Sequence, residues 1–256
     1  MTEPVFTLSD IVTTVNTGTS EEQQILKNLN LTSNKGDFIT VIGTNGAGKS
    51  TLFNTIAGNI KPASGQILLG TKNITSENDI KRTNYISRVF QDPKMGTAPR
   101  MTVAENLLLA LNRGRRRKFK PRHLKQQMTK FQELTKQIPN GLSEHLNTPA
   151  GNLSGGQRQT LSFLMATLVQ PDLLLLDEHT AALDPKTSQE LLKLTAKIVE
   201  QEQLSCLMIT HHLEDALSYG NRTIVLNDGQ IQSDLSGEAR ANLSTTDLLT
   251  YFNDLE

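Results

Sequence analysis

The segment Gly43-Thr44-Asn45-Gly46-Ala47-Gly48-Lys49-Ser50 constrains this chain more than any other part of it. It fits the phosphate-loop pattern G-x-x-x-x-G-K-[ST]. The apolar stretch 37–42 predicts a buried strand ahead of the loop, and a helix is expected from about Lys49. The glycines let the backbone curl so that its N–H groups converge on phosphate oxygens. The helix presents its N-terminus to the same anion. Lys49 can set its ammonium against the β- and γ-phosphates. Ser50 can offer its hydroxyl to Mg2+, a cation that favours oxygen ligands, and Thr51 closes the nucleotide-binding run. An ordinary glycine turn would share the glycines but has no need of a strand before it and a Lys-Ser helix start behind it.

A second feature gives the loop a partner. Leu173-Leu174-Leu175-Leu176-Asp177-Glu178 reads as an apolar strand ending in two carboxylates. A strand buried on both faces delivers its last side chains to the carboxyl edge of the sheet, where the phosphate loop of such folds also sits. Asp177 is expected in the Mg2+ shell, directly or through water. Glu178, facing the other way, can polarise a water in line with the γ-phosphate. An apolar strand followed by an acid is common by itself; paired with the loop it is far more specific.

Around these motifs, strands are expected over 5–15 and 25–32, flanking a hairpin loop at 16–24, and over 65–69 and 85–91. Helices are expected over 103–111 and 124–137. Then strand 173–177, helix 186–203, strand 206–210, helix 213–219 and strand 223–226 alternate up to a hairpin turn at Asp228-Gly229. This order predicts an α/β fold: a P-loop NTPase core with a mostly parallel sheet, an N-terminal antiparallel β subdomain and an inserted α-helical subdomain. One domain is expected over 1–256. Segments 1–91 and 166–232 form the nucleotide-binding core with its β subdomain, 92–165 the helical subdomain, and 233–256 a C-terminal helix and tail.

Charge narrows the partners little, since 26 basic residues face 26 acidic ones. That balance gives no argument for nucleic acid or a membrane surface. The single cysteine, Cys206, lies in an apolar strand and reads as a buried structural thiol, which suits a reduced, cytoplasmic setting. No apolar run approaches the roughly 18–20 residues that span a bilayer. The start, MTEPVFTLSD, lacks a basic region followed by an apolar one. A membrane role is therefore expected to come through a partner.

Ser154 looks like an N-cap with Gly155 and Gly156 behind it, a second anion-receptive helix start; a capped helix without a ligand is the plainer alternative. Leu153-Ser154-Gly155-Gly156-Gln157, downstream of the phosphate loop and shortly before Asp177-Glu178, resembles the signature of ATP-binding cassette proteins. The resemblance runs over about 5–232. It implies that Gln91 senses Mg2+ and the attacking water, that Ala182-Leu183-Asp184 contacts a partner protomer, and that His211 is the switch histidine at the γ-phosphate, with His212 beside it as the alternative. Gln91 as a strand-end cap and Asp184 as a helix cap are the bland readings. The resemblance further implies a homodimer in the ATP-bound state. Each ATP is clasped by the phosphate loop of one copy and by Ser154, Gly155, Gly156, Gln157 and Asp184 of the other. The family carries an aromatic residue near the end of the first strand to stack on adenine. Here no aromatic lies between Thr7 and Gln24, so Val15 is left to cover the base.

Phe90-Gln91-Asp92-Pro93, Met101-Thr102-Val103-Ala104-Glu105-Asn106 and Ala182-Leu183-Asp184-Pro185 are similar to bacterial importer cassettes. The longer stretches 90–99 and 176–185 resemble a subgroup that works with a branched-chain-amino-acid-like permease and a binding lipoprotein, some members being linked to aromatic amino acids. The implied setting is the cytoplasmic face of a bacterial membrane, with integral-membrane permease subunits as partners, the extracellular lipoprotein reached through them, and no nucleic acid. The rival reading is a cassette ATPase serving a cytoplasmic assembly such as iron–sulfur cluster delivery. The basic run 113–122 reads as a solvated loop or, alternatively, a contact with the permease or anionic headgroups. The acidic end from 228 on gets no regulatory role.

Overall fold

The computed structural model describes residues 4–114 and 123–253. The elements run β1 (Phe6–Val15), β2 (Gln23–Ser33), β3 (Phe38–Ile42), α1 (Lys49–Ala57), β4 (Ser64–Leu69), β5 (Lys72–Asn73), α2 (Asp79–Arg82) and β6 (Ile86–Val89). Next come α3 (Val103–Leu111), α4 (Leu124–Lys136), α5 (Gly155–Thr167), β7 (Leu173–Asp177), α6 (Pro185–Gln201) and β8 (Ser205–Ile209). The chain closes with α7 (Leu213–Ser218), β9 (Arg222–Asn227), β10 (Gln230–Ser236), α8 (Gly237–Ala241) and α9 (Thr245–Asn253).

Four antiparallel strands form one sheet in the order β2-β1-β4-β5, and six form another in the order β10-β9-β3-β8-β7-β6. In the second sheet β9, β3, β8, β7 and β6 pair in parallel, with β10 antiparallel at one edge. Parallel neighbours end at the same edge. The turns after β6, β7 and β8 therefore open side by side, next to the loop that leaves β3.

The central strands form because both of their faces are covered. Along β7, Leu174 and Leu176 enter a core with Phe131, Phe163 and Leu192, while Leu173 and Leu175 enter another with Phe53, Leu52 and Ile224. Each fully buried leucine contributes about 1.5–3 kcal/mol. Cys206 is buried in β8 as a packing residue, and that burial pushes its thiol well above its ordinary pKa. In β1 the apolar alternation Phe6, Leu8, Ile11 slips one place because Asp10 takes φ 51° in a bulge against β2.

Helix starts follow local chemistry. Thr102 with Glu105 opens α3 and Ser154 with Gln157 opens α5, each as a reciprocal capping box. Asp184 caps α6, with Pro185 in the first turn. The terminal helix α9 packs on the body through Leu248, against Ile42, Ala216 and Val225.

One expectation is corrected. Arg113 is neither solvated nor turned to a membrane: its guanidinium donates to Ser87 Oγ, to Ala166 O at 3.2 Å and to Val169 O. Burial lowers its pKa. The planar fork matches carbonyls that the end of α5 leaves unpaired. The rest of the run, 115–122, lies outside the described residues.

Candidate nucleotide site

The phosphate loop leaves β3 through a glycine that nothing larger can replace. A Cβ on Gly43 would stand 2.2 Å from the carbonyl oxygen of Leu226. Gly46 and Gly48 take φ 87° and 101°, so the backbone folds over on itself before α1 begins. Asn45 and Gly46 are exposed, Thr44 and Thr51 are half-buried, and Ala47 is buried. The helix starts at Lys49 with no side-chain cap and no acid in its first turn, which leaves its N–H groups for an anion. Lys49 is buried and its Nζ donates to the carbonyls of Gly43 at 2.6 Å and Thr44 at 2.9 Å. Burial lowers its pKa, and the nearby charge of Glu178 partly offsets that. The ammonium is held on loop carbonyls, within reach of anything the loop encloses.

Three adjacent strands each bring one side chain to the edge beside this loop. Glu178 follows β7 with φ 47°, Gln91 follows β6, and His211 follows β8. Gln91 Nε2 donates to Glu178 Oε2 at 3.0 Å, and His211 Nε2 donates to Glu178 Oε1 at 2.6 Å. Of the two neighbouring histidines it is thus His211 whose ring meets the carboxylate. His212 stands instead at the start of α7, its backbone N–H on Thr210 Oγ1 at 3.1 Å.

Asp177 stands one residue earlier, and its Oδ2 accepts from Arg88 at 2.5 Å. The sequence reading missed Arg88. The available signal was a lone arginine inside the apolar strand β6, three residues before Gln91.

The expected metal donors are the Ser50 hydroxyl, the Gln91 amide oxygen and the second oxygen of Asp177. All are hard oxygens, the kind Mg2+ takes together with phosphate and water. Among the described residues no group of three or more His, Cys, Asp or Glu gathers as a metal cage. This donor set therefore depends on phosphate oxygens to complete it.

The second anion-receptive turn lies apart from the first. Ser154 Oγ accepts from Gln157 N at 3.3 Å, Gln157 Oε1 accepts from Ser154 N at 3.2 Å, and Gln157 Nε2 donates to the carbonyl of Asn140 at 3.1 Å. None of these bonds reaches the phosphate loop. Ser154, Gly155, Gly156 and Gln157 instead line a cleft of about 410 Å³ with Asp184 and Lys186. Gly156 sits so close to α6 that a Cβ would meet Thr187 Cγ2 at 2.8 Å. Asp184 accepts from Thr187 N at 3.1 Å, and this bonding lowers its pKa. Val15 is half-buried at the last position of β1, and Asn16 turns the chain just after it with φ 54°. The Ile25 side chain flanks Gly48, 3.4 Å from where a Cβ would stand.

The family model described as ABC transporter matches residues 26–181. The chain is 47% identical over 232 residues to the tyrosine transport ATP-binding protein of Clostridioides difficile (strain R20291), covering 91% of this chain and 92% of that protein. Its fold is similar to the ATP-binding cassette MJ0796, seen as a dimer in a post-hydrolysis state with ADP and Pi: TM-score 0.76, 27% identity, 90% of this chain and 98% of that one. It is also similar to MJ1267, an ATP-binding cassette of an ABC transporter, with TM-score 0.79, 27% identity, and coverage of 98% and 99%.

Proposed function

This chain belongs to the ABC transporter ATPase family, and from that premise we propose that it is the motor subunit of an importer, working as an ATP-driven homodimer. The observation that carries the reading is the convergence of Gln91 and His211 on the two oxygens of Glu178, beside the phosphate loop.

Lys49 and the N–H groups of Gly43–Thr51 hold the triphosphate. Glu178 polarises the attacking water, and Gln91 and His211 position that water and the γ-phosphate. Ser50, Asp177 and Gln91 would hold Mg2+, which would supply positive charge against the phosphate oxygens. Segment 92–165 acts as the arm that presents Ser154, Gly155, Gly156 and Gln157, with Asp184, to the nucleotide of the other copy. The cap geometry of Ser154 supports this, because two bare glycines and a helix start face a cleft rather than the chain's own loop. Both sites of such a dimer carry the full set of residues.

The cargo we assign is an amino acid, with an aromatic one first in line. The support is the tyrosine transport relative from Clostridioides difficile. No helix among the described residues is long and apolar enough to cross a membrane, so the reading requires membrane-embedded permease subunits and, beyond them, a binding lipoprotein. Co-expression and reconstitution with a candidate permease and binding lipoprotein test this. Labelled tyrosine should accumulate in proteoliposomes only with ATP inside the motor compartment. Uptake of other solutes alone would redirect the cargo, and failure to co-purify with any permease would remove the importer reading.

A further inference from the structure

We propose that Arg88 is a positioning residue for the metal-binding aspartate, fixing which oxygen of Asp177 faces the nucleotide's cation. The inference rests on the assignment of Asp177 to the metal. Arg88 lies in β6, a strand of otherwise apolar or small residues, and its side chain is 12% exposed. Burying an arginine there is costly unless its donors are matched. Its two terminal nitrogens are matched on two further elements, while Nε has no partner. One terminal nitrogen donates to Asn54 Oδ1 on α1 at 2.7 Å, the other donates to Asp177 Oδ2 at the end of β7 at 2.5 Å, and the guanidinium lies over the Phe90 ring at 4.9 Å from its centre.

Two consequences follow. The Asp177 carboxylate, itself only 14% exposed, has one oxygen committed and cannot rotate freely, so its remaining oxygen points one way. The same guanidinium also ties α1, the helix that begins at Lys49, to the strand that ends at Asp177. The phosphate end and the metal end of the site are thereby held at a set separation. Groups that orient a metal ligand from behind commonly change metal affinity when removed.

The sign of the effect separates orientation from simple charge. By charge alone, removing a cation beside Asp177 would strengthen metal binding. By orientation, removing it weakens binding. The test is Mn2+ affinity of the full chain loaded with a non-hydrolysable ATP analogue, read by electron paramagnetic resonance, alongside metal-free analogue affinity and thermal unfolding.

Arg88→Gln should weaken Mn2+ binding by about tenfold while metal-free analogue affinity is kept. Arg88→Lys, which keeps the charge but cannot span Asn54 and Asp177 together, should weaken it by less. If Arg88→Gln does not fold, Arg88→Lys decides alone. Unchanged or tightened Mn2+ binding in the folded variants overturns the proposal. Asp177→Asn distinguishes the two levels: if it leaves Mn2+ affinity unchanged, the metal assignment itself falls. If it weakens Mn2+ binding while the Arg88 variants do not, only the role of Arg88 falls.

Discussion

The Nε2 of His211 stands 2.6 Å from Oε1 of Glu178, and Gln91 holds the other oxygen of the same carboxylate. Each oxygen of Glu178 thus already meets one side chain, and the carboxylate keeps acceptor capacity for a water. Turnover on the proposed reading exchanges the His211 bond for one to water, so that His211 can turn to the γ-phosphate.

Replacing the carboxylate isolates that exchange. Glu178→Gln keeps the size and loses the base, so hydrolysis should fall by about 10²–10⁴-fold. ATP-bound dimers should accumulate, because closure no longer ends in cleavage. Phosphate release and size-exclusion chromatography with ATP measure both; full activity would take Glu178 out of this role.

Ser154 should act twice. Loss of the N-cap in Ser154→Ala should cost about 1 kcal/mol of stability, seen as a modest fall in Tm. Hydrolysis and ATP-driven dimerisation should fall far more than folding does. Losses of equal size would leave Ser154 as a cap and nothing else.

Acid should destabilise the chain through His179. The ring is buried against Phe163 with Nε2 on Thr195, and burial lowers its pKa to about 4. The unfolded chain takes the proton near the ordinary value of about 6.5, so it binds more protons than the folded chain below that pH. Stability is complete above that value and is lost as pH falls towards 4, by an amount on the order of 3 kcal/mol. His179→Gln should flatten chemical-denaturation midpoints across this window; an unchanged slope would show that another group controls it.

The base pocket should be permissive. With Val15 in place of a stacking aromatic, ATP and GTP should compete nearly equally for the site. Val15→Tyr should tighten binding of both nucleotides by about twofold to tenfold, the equivalent of 0.5–1.5 kcal/mol of ring contact. Strong adenine selectivity in the unaltered chain would locate the recognition elsewhere.

The fold was readable wherever a pattern was local. Leu173–Asp177 and Val103–Leu111 announced themselves by composition and by the residues at their ends. Gly43 and Lys49 did so because a phosphate cradle tolerates few other residues. Arg88 and Arg113 were hidden for the opposite reason. Their partners lie far away along the chain: Asp177 is 89 residues from Arg88, and Val169 is 56 from Arg113. Arg113 also stood at the head of a basic run, where one buried side chain looks the same as its neighbours. Burial of a charge is a property of the packed molecule, and no single window of sequence carries it.

The side-by-side order of β6, β7 and β8 makes the sheet a ruler. Gln91, Glu178 and His211 inherit their spacing from the backbone ladder, at about 4.8 Å per strand, and not from the helices that cover it. On the proposed reading, outer surfaces can therefore change to suit a membrane partner while these three side chains keep their gauge. A motor of the proposed kind can be refitted to a different cargo without recutting this edge of the sheet.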